Sequence, residues 1–188
     1  MRYIFITVFC LVLANSLQTG LDVLQNDLDY LKGKKIGLII NHTSINSKGK
    51  HIIDILMEQE IDITRIFAPE HGFLGNYSAG KEIKNEIDPL LGIEIISLYG
   101  KNKSPKNEYL NDLDILIFDI QDIGVRYYTY VSTMTLAMSQ AAKNDVKFIV
   151  LDRPNPLNGI SIEGPISEIS SFVGMHPVPV RHGMTIGE

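Results

Sequence analysis

Residues 114–130 read DILIFDIQDIGVRYYTY, and this stretch decides the predicted fold. Its first part is an apolar run that ends in the carboxylate of Asp119, which is typical of a buried strand in a parallel sheet. An amide, a second carboxylate, a glycine, an arginine and three tyrosines follow. Because ligands of open α/β sheets bind beyond the carboxyl ends of the strands, we expect a polar site directly after Asp119. The alternative is that Arg126 and the tyrosines only fasten the next helix to the sheet.

Similar apolar runs recur along the chain, with helical patterns between them. Strands are predicted at 35–41, 61–67, 93–98, 114–119 and 146–151, and helices at 49–59 and 129–143. Continuous apolar strands separated by helices predict an α/β fold, with a Rossmann-like parallel sheet that carries helices on both faces. The loop after the first strand contains neither a G-x-G-x-x-G turn nor a G-x-x-x-x-G-K-S/T loop. The sequence therefore has no nucleotide fingerprint and predicts no cofactor.

Residues 1–16 are predicted to be a signal peptide rather than part of the fold. Arg2 precedes an apolar run over 3–14, and Ala14 and Ser16 supply the small residues of a cleavage site. The run is shorter than the about 20 apolar residues that a membrane span needs. Cleavage after Ser16 would remove Cys10, the only cysteine, so the mature protein would have no disulfide and no membrane span. We therefore expect a secreted or periplasmic protein.

Composition and charge point to a globular protein that does not bind nucleic acid. Hydrophobic residues make up 45% of the chain and charged residues 21%, which is ordinary for a folded domain. The 17 Lys and Arg residues against 22 Asp and Glu residues give a net charge of −5, and the basic residues form no block. A nucleic-acid partner is therefore not expected.

The chain is predicted to contain a Rossmann-like amino-terminal domain and a junction. After about Asp152 the composition changes to Pro, Gly and Ser without a helical period. We place the Rossmann-like domain at 17–160 and the junction at 161–188, leading towards a carboxyl-terminal domain outside this chain. Thr185 followed by Glu188 is a capping-box pattern, which predicts that a helix begins here.

Polar residues follow the ends of all five predicted strands, so they are expected to meet at one edge of the sheet. They are Asn41 and His42, Glu70 and His71, Tyr99, Asp119 with Gln121 and Asp122, and Asp152 with Arg153. Five such positions together predict a polar pocket. The histidines and aspartates are suitable metal ligands, but they lie far apart in the sequence and form no H-x-x-x-H pair. No metal site is therefore predicted.

Glu70 is the strongest single candidate for a catalytic group. A proline fixes the chain direction before it, and glycines two and five residues later allow the backbone to bend. The apolar residues on both sides would favour its protonated form, which suits a general acid. The alternative is a turn glutamate that only caps a helix or forms an ion pair. His71 would either orient Glu70, bind a substrate, or have a structural role.

Asp119 and Asp122 have two interpretations. As a functional pair, they would act as base or nucleophile opposite Glu70, or hold a substrate hydroxyl. As structural groups, they would cap the following helix or pair with Arg126. Asp152 either faces the pocket or closes a rigid, proline-rich wall beside it.

Several motifs together resemble the exo-β-N-acetylmuramidase (NamZ-like) family. They are FAPEHGFLG at 67–75, SLYG at 97–100, FDIQDIGVRYYTY at 118–130, LDRPNP at 151–156 and PVRHGMTIGE at 179–188. The likeness runs from about residue 35 to residue 188. Members of this family are secreted or periplasmic glycoside hydrolases that remove a terminal N-acetylmuramic acid from peptidoglycan fragments. The resemblance implies a Rossmann-like amino-terminal domain, a separate carboxyl-terminal domain, and an active site in the cleft between them with its catalytic glutamate at Glu70.

The resemblance also implies roles for the strand-end residues. Glu70 would protonate the glycosidic oxygen, while Asp119 or Asp122 would activate water or attack the anomeric carbon. Arg126 would pair with the lactyl carboxylate of muramic acid. The other residues expected to bind muramic-acid saccharides are Asn41, His71, Tyr99, Gln121, Tyr128, Asp152, Arg153 and His182. Two alternatives stay open: a non-catalytic module that binds cell-wall sugars, and a metal-dependent hydrolase.

Overall fold

A mostly parallel, six-stranded sheet forms the centre of the protein. The computed structural model describes residues 17–73, 85–100 and 102–188, so the predicted signal peptide lies outside the described residues. The strands are β1 (Ile36–Ile40), β2 (Ile63–Ala68), β3 (Glu86–Ile87), β4 (Glu94–Ser97), β5 (Ile115–Asp119) and β6 (Lys147–Val150). Their order across the sheet is β3-β4-β2-β1-β5-β6, and every neighbouring pair is parallel except β3 and β4. The predicted α/β fold is confirmed.

The five predicted strands are present within two residues of their expected bounds. All residues of β1 and β5 are buried, as expected for central strands that are covered on both faces. The antiparallel edge strand β3 was not predicted from the sequence. Its two residues are both exposed and form no apolar run, so the pattern that reveals the other strands is missing there.

The described residues form three α-helices, one before the first strand and two between strands. They are α1 (Gly20–Leu24), α2 (Ile52–Glu58) and α3 (Tyr130–Lys143), and short 3-10 helices occur at Leu28–Leu31 and Asn107–Tyr109. The α2 helix begins three residues later than predicted because His51 is its N-cap, with Nδ1 accepting the N–H of Ile53 (3.4 Å). No helix in the described ranges is long and apolar enough to cross a membrane.

The helices cover both faces of the sheet, as predicted. Leu38 of β1 belongs to a core cluster with Leu21 of α1 and Leu56 of α2. Ile39, the next residue of β1, belongs to a second cluster with Ala137 of α3. Successive side chains of a strand point to opposite faces, so β1 needs apolar residues throughout to fill both layers.

The strand register brings the carboxyl ends of the parallel strands to one edge. Ile40 of β1 lies opposite Asp119 of β5, and Ala68 of β2 lies opposite Ser97 of β4. The β6 strand ends level with β5. The residues that follow the strands therefore share this edge with Asp119, as predicted. They are Asn41, Glu70, Tyr99 and Asp152.

Residues 151–188 contact the loop that follows β5 and contain little regular secondary structure. Isolated antiparallel bridges join Arg181 to Val125 and to Glu163. The N–H of Arg126 donates to the carbonyl of Val180 (3.0 Å). These bonds fix the segment against the carboxyl edge of the sheet. The predicted domain boundary at residue 160 stays a prediction.

The capping-box pattern near residue 188 is formed. The N–H of Thr185 donates to Oε2 of Glu188 (2.9 Å), and the N–H of Glu188 donates to Oγ1 of Thr185 (3.3 Å). These reciprocal bonds are those that satisfy free N–H groups where a helix begins.

Candidate active site

Glu70 lies in a tight turn directly after β2. The N–H of Gly72 donates to the carbonyl of Pro69 (2.9 Å), and His71 and Gly72 both have left-handed backbone, with φ of 70° and 76°. This conformation costs a non-glycine residue about 1–2 kcal/mol, so the surrounding structure must hold His71 in it. The turn leaves Glu70 half-buried, and Oγ1 of Thr129 donates to Glu70 Oε2 (2.8 Å). Glu70 therefore lies against the start of α3.

Tyr130, the first residue of α3, links Glu70 to the loop after β5. Burial, followed by the neighbouring Tyr128, raises the pKa of Tyr130 to about 12. A hydrogen bond with Asn41 lowers this pKa, while the negative charges of Glu70 and Asp122 raise it further. The Tyr130 hydroxyl is therefore neutral at physiological pH and lies within electrostatic reach of both carboxylates.

Asn41 shapes the loop after β1. Its side chain is buried, and Oδ1 accepts hydrogen bonds from the N–H (2.8 Å) and the hydroxyl (2.6 Å) of Thr43. Its carbonyl oxygen contacts Nε2 of His51 (3.0 Å). The amide oxygen of Asn41 is thus already occupied by two hydrogen bonds within the loop. The predicted contact of Asn41 with a substrate stays a prediction.

Asp119 forms a buried ion pair with Arg153. Both side chains are almost fully enclosed, and Nε of Arg153 donates to Oδ1 of Asp119 (2.6 Å). The other oxygen, Oδ2, has no hydrogen-bond partner among the described residues. Burial raises the pKa of Asp119, and the hydrogen bond and charge of Arg153 oppose this rise. Arg153 also donates from Nη2 to the carbonyl of Ile45 (3.0 Å), so the pair ties three strand ends together.

Asp122 lies three residues further along and reaches a cavity. Its side chain is largely buried, and Oδ1 accepts the N–H of Gly124 (2.7 Å). Burial raises the pKa of Asp122, while the bond from Gly124 and the charge of His182 act in the opposite direction. Within the described residues, neither Asp119 nor Asp122 caps α3 or pairs with Arg126, so both structural alternatives proposed from the sequence are wrong.

The cavity lies between α3 and the segment that ends the chain, and its volume is about 350 Å³. Its polar lining comprises Asp122, Arg126, Thr135, His176, His182, Thr185 and Glu188. Apolar side chains of α3, including Val131 and Met134, form one wall. Glu70 does not line this cavity, so the candidate site has two parts. One is the Glu70 turn and the other is the cavity at Asp122, with Tyr130 between them.

The cationic groups of the cavity are partly committed to backbone contacts. Arg126 Nη1 donates to the carbonyl oxygens of Val178 (3.0 Å) and Pro165. His182 Nδ1 accepts the N–H of Met184 (3.2 Å), so a neutral His182 carries its proton on Nε2. The Nη2 group of Arg126 and the Nε2 atom of His182 make no hydrogen bond with the described residues, so they remain as donors that suit a ligand carboxylate.

Gln121 and Asp152 hold the loops around the site. The Gln121 amide donates to the carbonyls of Asp122 (2.6 Å) and Pro154 (2.9 Å). The carboxylate of Asp152 accepts the hydroxyl of Thr185 (2.6 Å) and the N–H of Gly187 (2.9 Å). Asp152 thereby fastens the segment that closes the cavity, and its predicted contact with a substrate stays a prediction.

The remaining predicted residues lie around the same edge. Tyr99 is half-buried after β4, and its N–H donates to Oγ of Ser97 (3.3 Å). Tyr128 is half-buried, with its ring edge-to-face against Tyr130 at 5.0 Å between centroids. His71 is half-buried in the Glu70 turn. In the described part of the chain, no three His, Cys, Asp or Glu side chains converge in a way that would hold a metal ion.

Sequence reasoning missed Thr129 and His176. Thr129 directly precedes a helix, where a threonine is normally interpreted as an N-cap, yet its side chain makes no capping bond. His176 contacts Oγ1 of Thr135 on α3 (2.9 Å), and no pattern in the sequence connects these two residues. The one sequence signal that connected Thr129 with the site was its place in the motif at 118–130, beside the candidate site residues.

The chain is similar to known proteins in both sequence and structure. A family model described as "Exo-beta-N-acetylmuramidase NamZ, N-terminal" matches residues 36–188. Over 175 residues, the chain is 52% identical to the peptidoglycan beta-N-acetylmuramidase NamZ of Bacillus subtilis (strain 168), a match that covers 91% of this chain and 42% of that protein. Crystal structures of two DUF1343 family proteins from Bacteroides fragilis NCTC 9343 match with TM-scores of 0.81 and 0.75, at 42% and 40% identity. Each structural match covers 90% of this chain and 44% of the solved chain. The chain thus spans less than half the length of these relatives.

Proposed function

Because the chain belongs to the family of the exo-β-N-acetylmuramidase NamZ, we propose that it is the amino-terminal part of a glycoside hydrolase. The proposed reaction releases terminal N-acetylmuramic acid from peptidoglycan fragments. The observation that carries this proposal is the 52% identity to the Bacillus subtilis muramidase over 91% of this chain. The match to the family model, over residues 36–188, includes the Glu70 turn and the cavity. The proposed location is secreted or periplasmic, which the pattern of residues 1–16 supports. Recovery of the protein in the cytoplasm alone would contradict this location, and amino-terminal sequencing of exported protein that begins at Met1 would contradict cleavage after Ser16.

In the proposed mechanism, Glu70 donates a proton to the glycosidic oxygen. Its Oε2 is held by Thr129, and Oε1 makes no hydrogen bond with the described part of the chain. The second carboxylate, which activates the attacking water or itself attacks the anomeric carbon, is Asp122 rather than Asp119. Asp122 lines the cavity, whereas Asp119 is fully buried and would have to leave Arg153 before reaching a sugar. A pair of carboxyl groups flanking the glycosidic bond is the usual machinery of glycoside hydrolysis.

Recognition of muramic acid is assigned to the cavity. Its lactyl group carries a carboxylate, which Arg126 Nη2 and the Nε2–H of His182 can bind together. The apolar wall formed by Val131 and Met134 suits the methyl groups of the lactyl and acetyl substituents. N-acetylglucosamine has no lactyl carboxylate, so these contacts would select muramic acid.

The test measures hydrolysis of two substrates by this chain. One is the disaccharide of N-acetylmuramic acid β-1,4-linked to N-acetylglucosamine, and the other is 4-nitrophenyl β-N-acetylmuramide, whose leaving group needs little protonation. Glu70→Gln is expected to lower turnover of the disaccharide about 10²–10⁴-fold and to affect the nitrophenyl substrate much less. Glu108→Gln, an exposed glutamate in the 3-10 helix before β5, is the matched control and is expected to change neither rate.

Three outcomes would contradict the proposal. Unchanged turnover of the disaccharide by Glu70→Gln would remove Glu70 from the mechanism. Binding of the disaccharide by the unmodified chain without product release would favour the alternative, in which this chain is a non-catalytic module that binds cell-wall sugars. Loss of activity on treatment with a chelator, restored by a divalent metal, would favour the metal-dependent hydrolase.

A further inference from the structure

Thr129 occupies the N-cap position of α3 but does not cap this helix. A threonine there normally turns its hydroxyl oxygen back to accept an N–H of the first turn. Thr129 instead has a helical backbone conformation, with φ of −78° and ψ of −6°, and makes no capping hydrogen bond. Its hydroxyl donates to Glu70, 59 residues earlier in the chain. Thr129 therefore makes a long-range hydrogen bond with the proposed acid in place of the local capping bond.

This contact limits the freedom of the Glu70 side chain. A glutamate side chain has several rotatable bonds, and fixing it costs up to about 1.5–2 kcal/mol of conformational entropy. Glu70 is only half-buried, so packing alone does not fix its carboxyl group. The bond from Thr129 Oγ1 to Oε2 (2.8 Å) holds one oxygen, and the other oxygen makes no hydrogen bond with the described part of the chain.

The hydroxyl is also suited to both protonation states of a general acid. It donates to Oε2 when Glu70 is ionised, and it still donates to the same carbonyl-like oxygen when Oε1 carries the proton. The acidic proton is thereby directed to Oε1, the oxygen without a partner in the described residues.

We propose that Thr129 is the positioning residue of Glu70, and that its hydroxyl holds Oε2 so that Oε1 delivers the proton to the leaving group. The inference rests on the proposed function for its catalytic part only. The hydrogen bond itself and its effect on Glu70 do not depend on turnover.

Two substitutions separate the hydroxyl from the shape of the side chain. Thr129→Val keeps the shape and removes the hydroxyl, whereas Thr129→Ser keeps the hydroxyl. Thr64→Val is the matched control, because Thr64 lies on β2 and its hydroxyl makes a single long hydrogen bond within the described residues, to Oδ1 of Asp62 (3.5 Å). Circular dichroism of all three variants shows whether the fold is kept.

The first readout is kinetic. With the natural disaccharide, Thr129→Val is expected to lower kcat about 10- to 100-fold, the effect of one lost hydrogen bond to a charged group, while KM changes less than about twofold. Thr129→Ser is expected to recover most of this loss, and the 4-nitrophenyl substrate is expected to be affected much less. Equal kcat for Thr129→Val and the unmodified chain would overturn the inference while leaving the proposed function intact.

The second readout is independent of activity. The Glu70 carboxyl carbon is followed by ¹³C NMR at neutral pH, with its resonance assigned from Glu70→Gln. In Thr129→Val its chemical shift is expected to move away from that of the unmodified chain, because the carboxylate loses a donor, and Thr129→Ser is expected to restore it. An unchanged chemical shift in Thr129→Val would overturn the inference even if the chain hydrolyses nothing.

Discussion

Replacing Arg153 by methionine is expected to destabilise the protein strongly. The substitution keeps a long apolar stem but removes the guanidinium that donates to Asp119 Oδ1 (2.6 Å) and to the carbonyl of Ile45 (3.0 Å). The Asp119 side chain has no exposed surface, and its Oδ2 already has no partner among the described residues. Arg153→Met therefore leaves a buried carboxylate without compensation.

The size of the effect follows from this burial. Removing one partner of a buried ion pair costs about 3–5 kcal/mol, because the remaining charge stays desolvated. For a chain of this length, 1 kcal/mol lowers Tm by about 2–4 °C, so a decrease of about 6–20 °C is expected. The matched control is Lys50→Met, which breaks the solvent-exposed pair with Glu58 and is expected to cost at most about 1 kcal/mol.

The loss should also depend on pH in a defined direction. Burial raises the pKa of Asp119 in the folded state above its ordinary value of 3.8. An acidic group whose pKa is higher in the folded than in the unfolded state does not lower the free energy of unfolding at a pH below its unfolded pKa. It lowers this free energy progressively as the pH rises from the unfolded pKa towards the folded pKa. Arg153→Met removes the opposing effect of the guanidinium, so the difference from the unmodified protein is expected to shrink as the pH falls from about 8 to about 4.

The assay is urea unfolding, followed by far-ultraviolet circular dichroism at several pH values. Asp119→Asn combined with Arg153→Met removes both charges and is expected to be more stable than Arg153→Met alone at neutral pH. A destabilisation by Arg153→Met of less than about 1 kcal/mol, or one that is the same at pH 8 and pH 4, would refute the reasoning.

The loops around the cavity give two further predictions. Gly124→Ala is expected to destabilise the protein by more than Gly49→Ala. Both glycines have left-handed backbone, but the new Cβ at position 124 lies 2.2 Å from Oδ1 of Asn155, whereas a Cβ at position 49 has no atom within 4 Å. Urea unfolding compares the two variants, and equal losses of stability would contradict the steric argument. Asp152→Asn is expected to speed hydrogen exchange at the N–H of Gly187, because an amide that turns its nitrogen towards this donor no longer accepts its bond. Unchanged exchange at Gly187, with sheet amides as reference, would show that Asp152 does not fasten the segment.

The sequence predicted the strands well because burial on both faces demands unbroken apolar runs. It also predicted which residues gather at the carboxyl edge, since parallel strands all end there. The pattern failed for β3, whose residues Glu86 and Ile87 are both exposed and pair through backbone bonds alone. Edge strands of this kind carry no periodic signal.

The roles of the polar residues were harder to predict than their positions. The strand-end rule places Asp119 and Asp122 near one another, but it does not say which side chain turns inward. In the structure Asp119 turns towards Arg153, 34 residues later, while Asp122 reaches the cavity. The Thr129 hydroxyl likewise donates to Glu70 instead of capping α3, and this tertiary contact cannot be predicted from local propensity.

The central place of β1 has a consequence for how the chain folds during synthesis. β1 pairs with β2 on one side, only about one helix later in the chain, but its other side waits for β5, with Ile36 opposite Ile115. The chain emerges with its amino terminus first, whether from a ribosome or through the membrane during export, so β1 and β2 emerge well before β5 does. Until then an apolar strand presents a free hydrogen-bonding edge, which is the kind of surface that pairs with other chains. Before β5 emerges, β1 is therefore exposed to pairing with other chains, although it is fully buried in the folded protein.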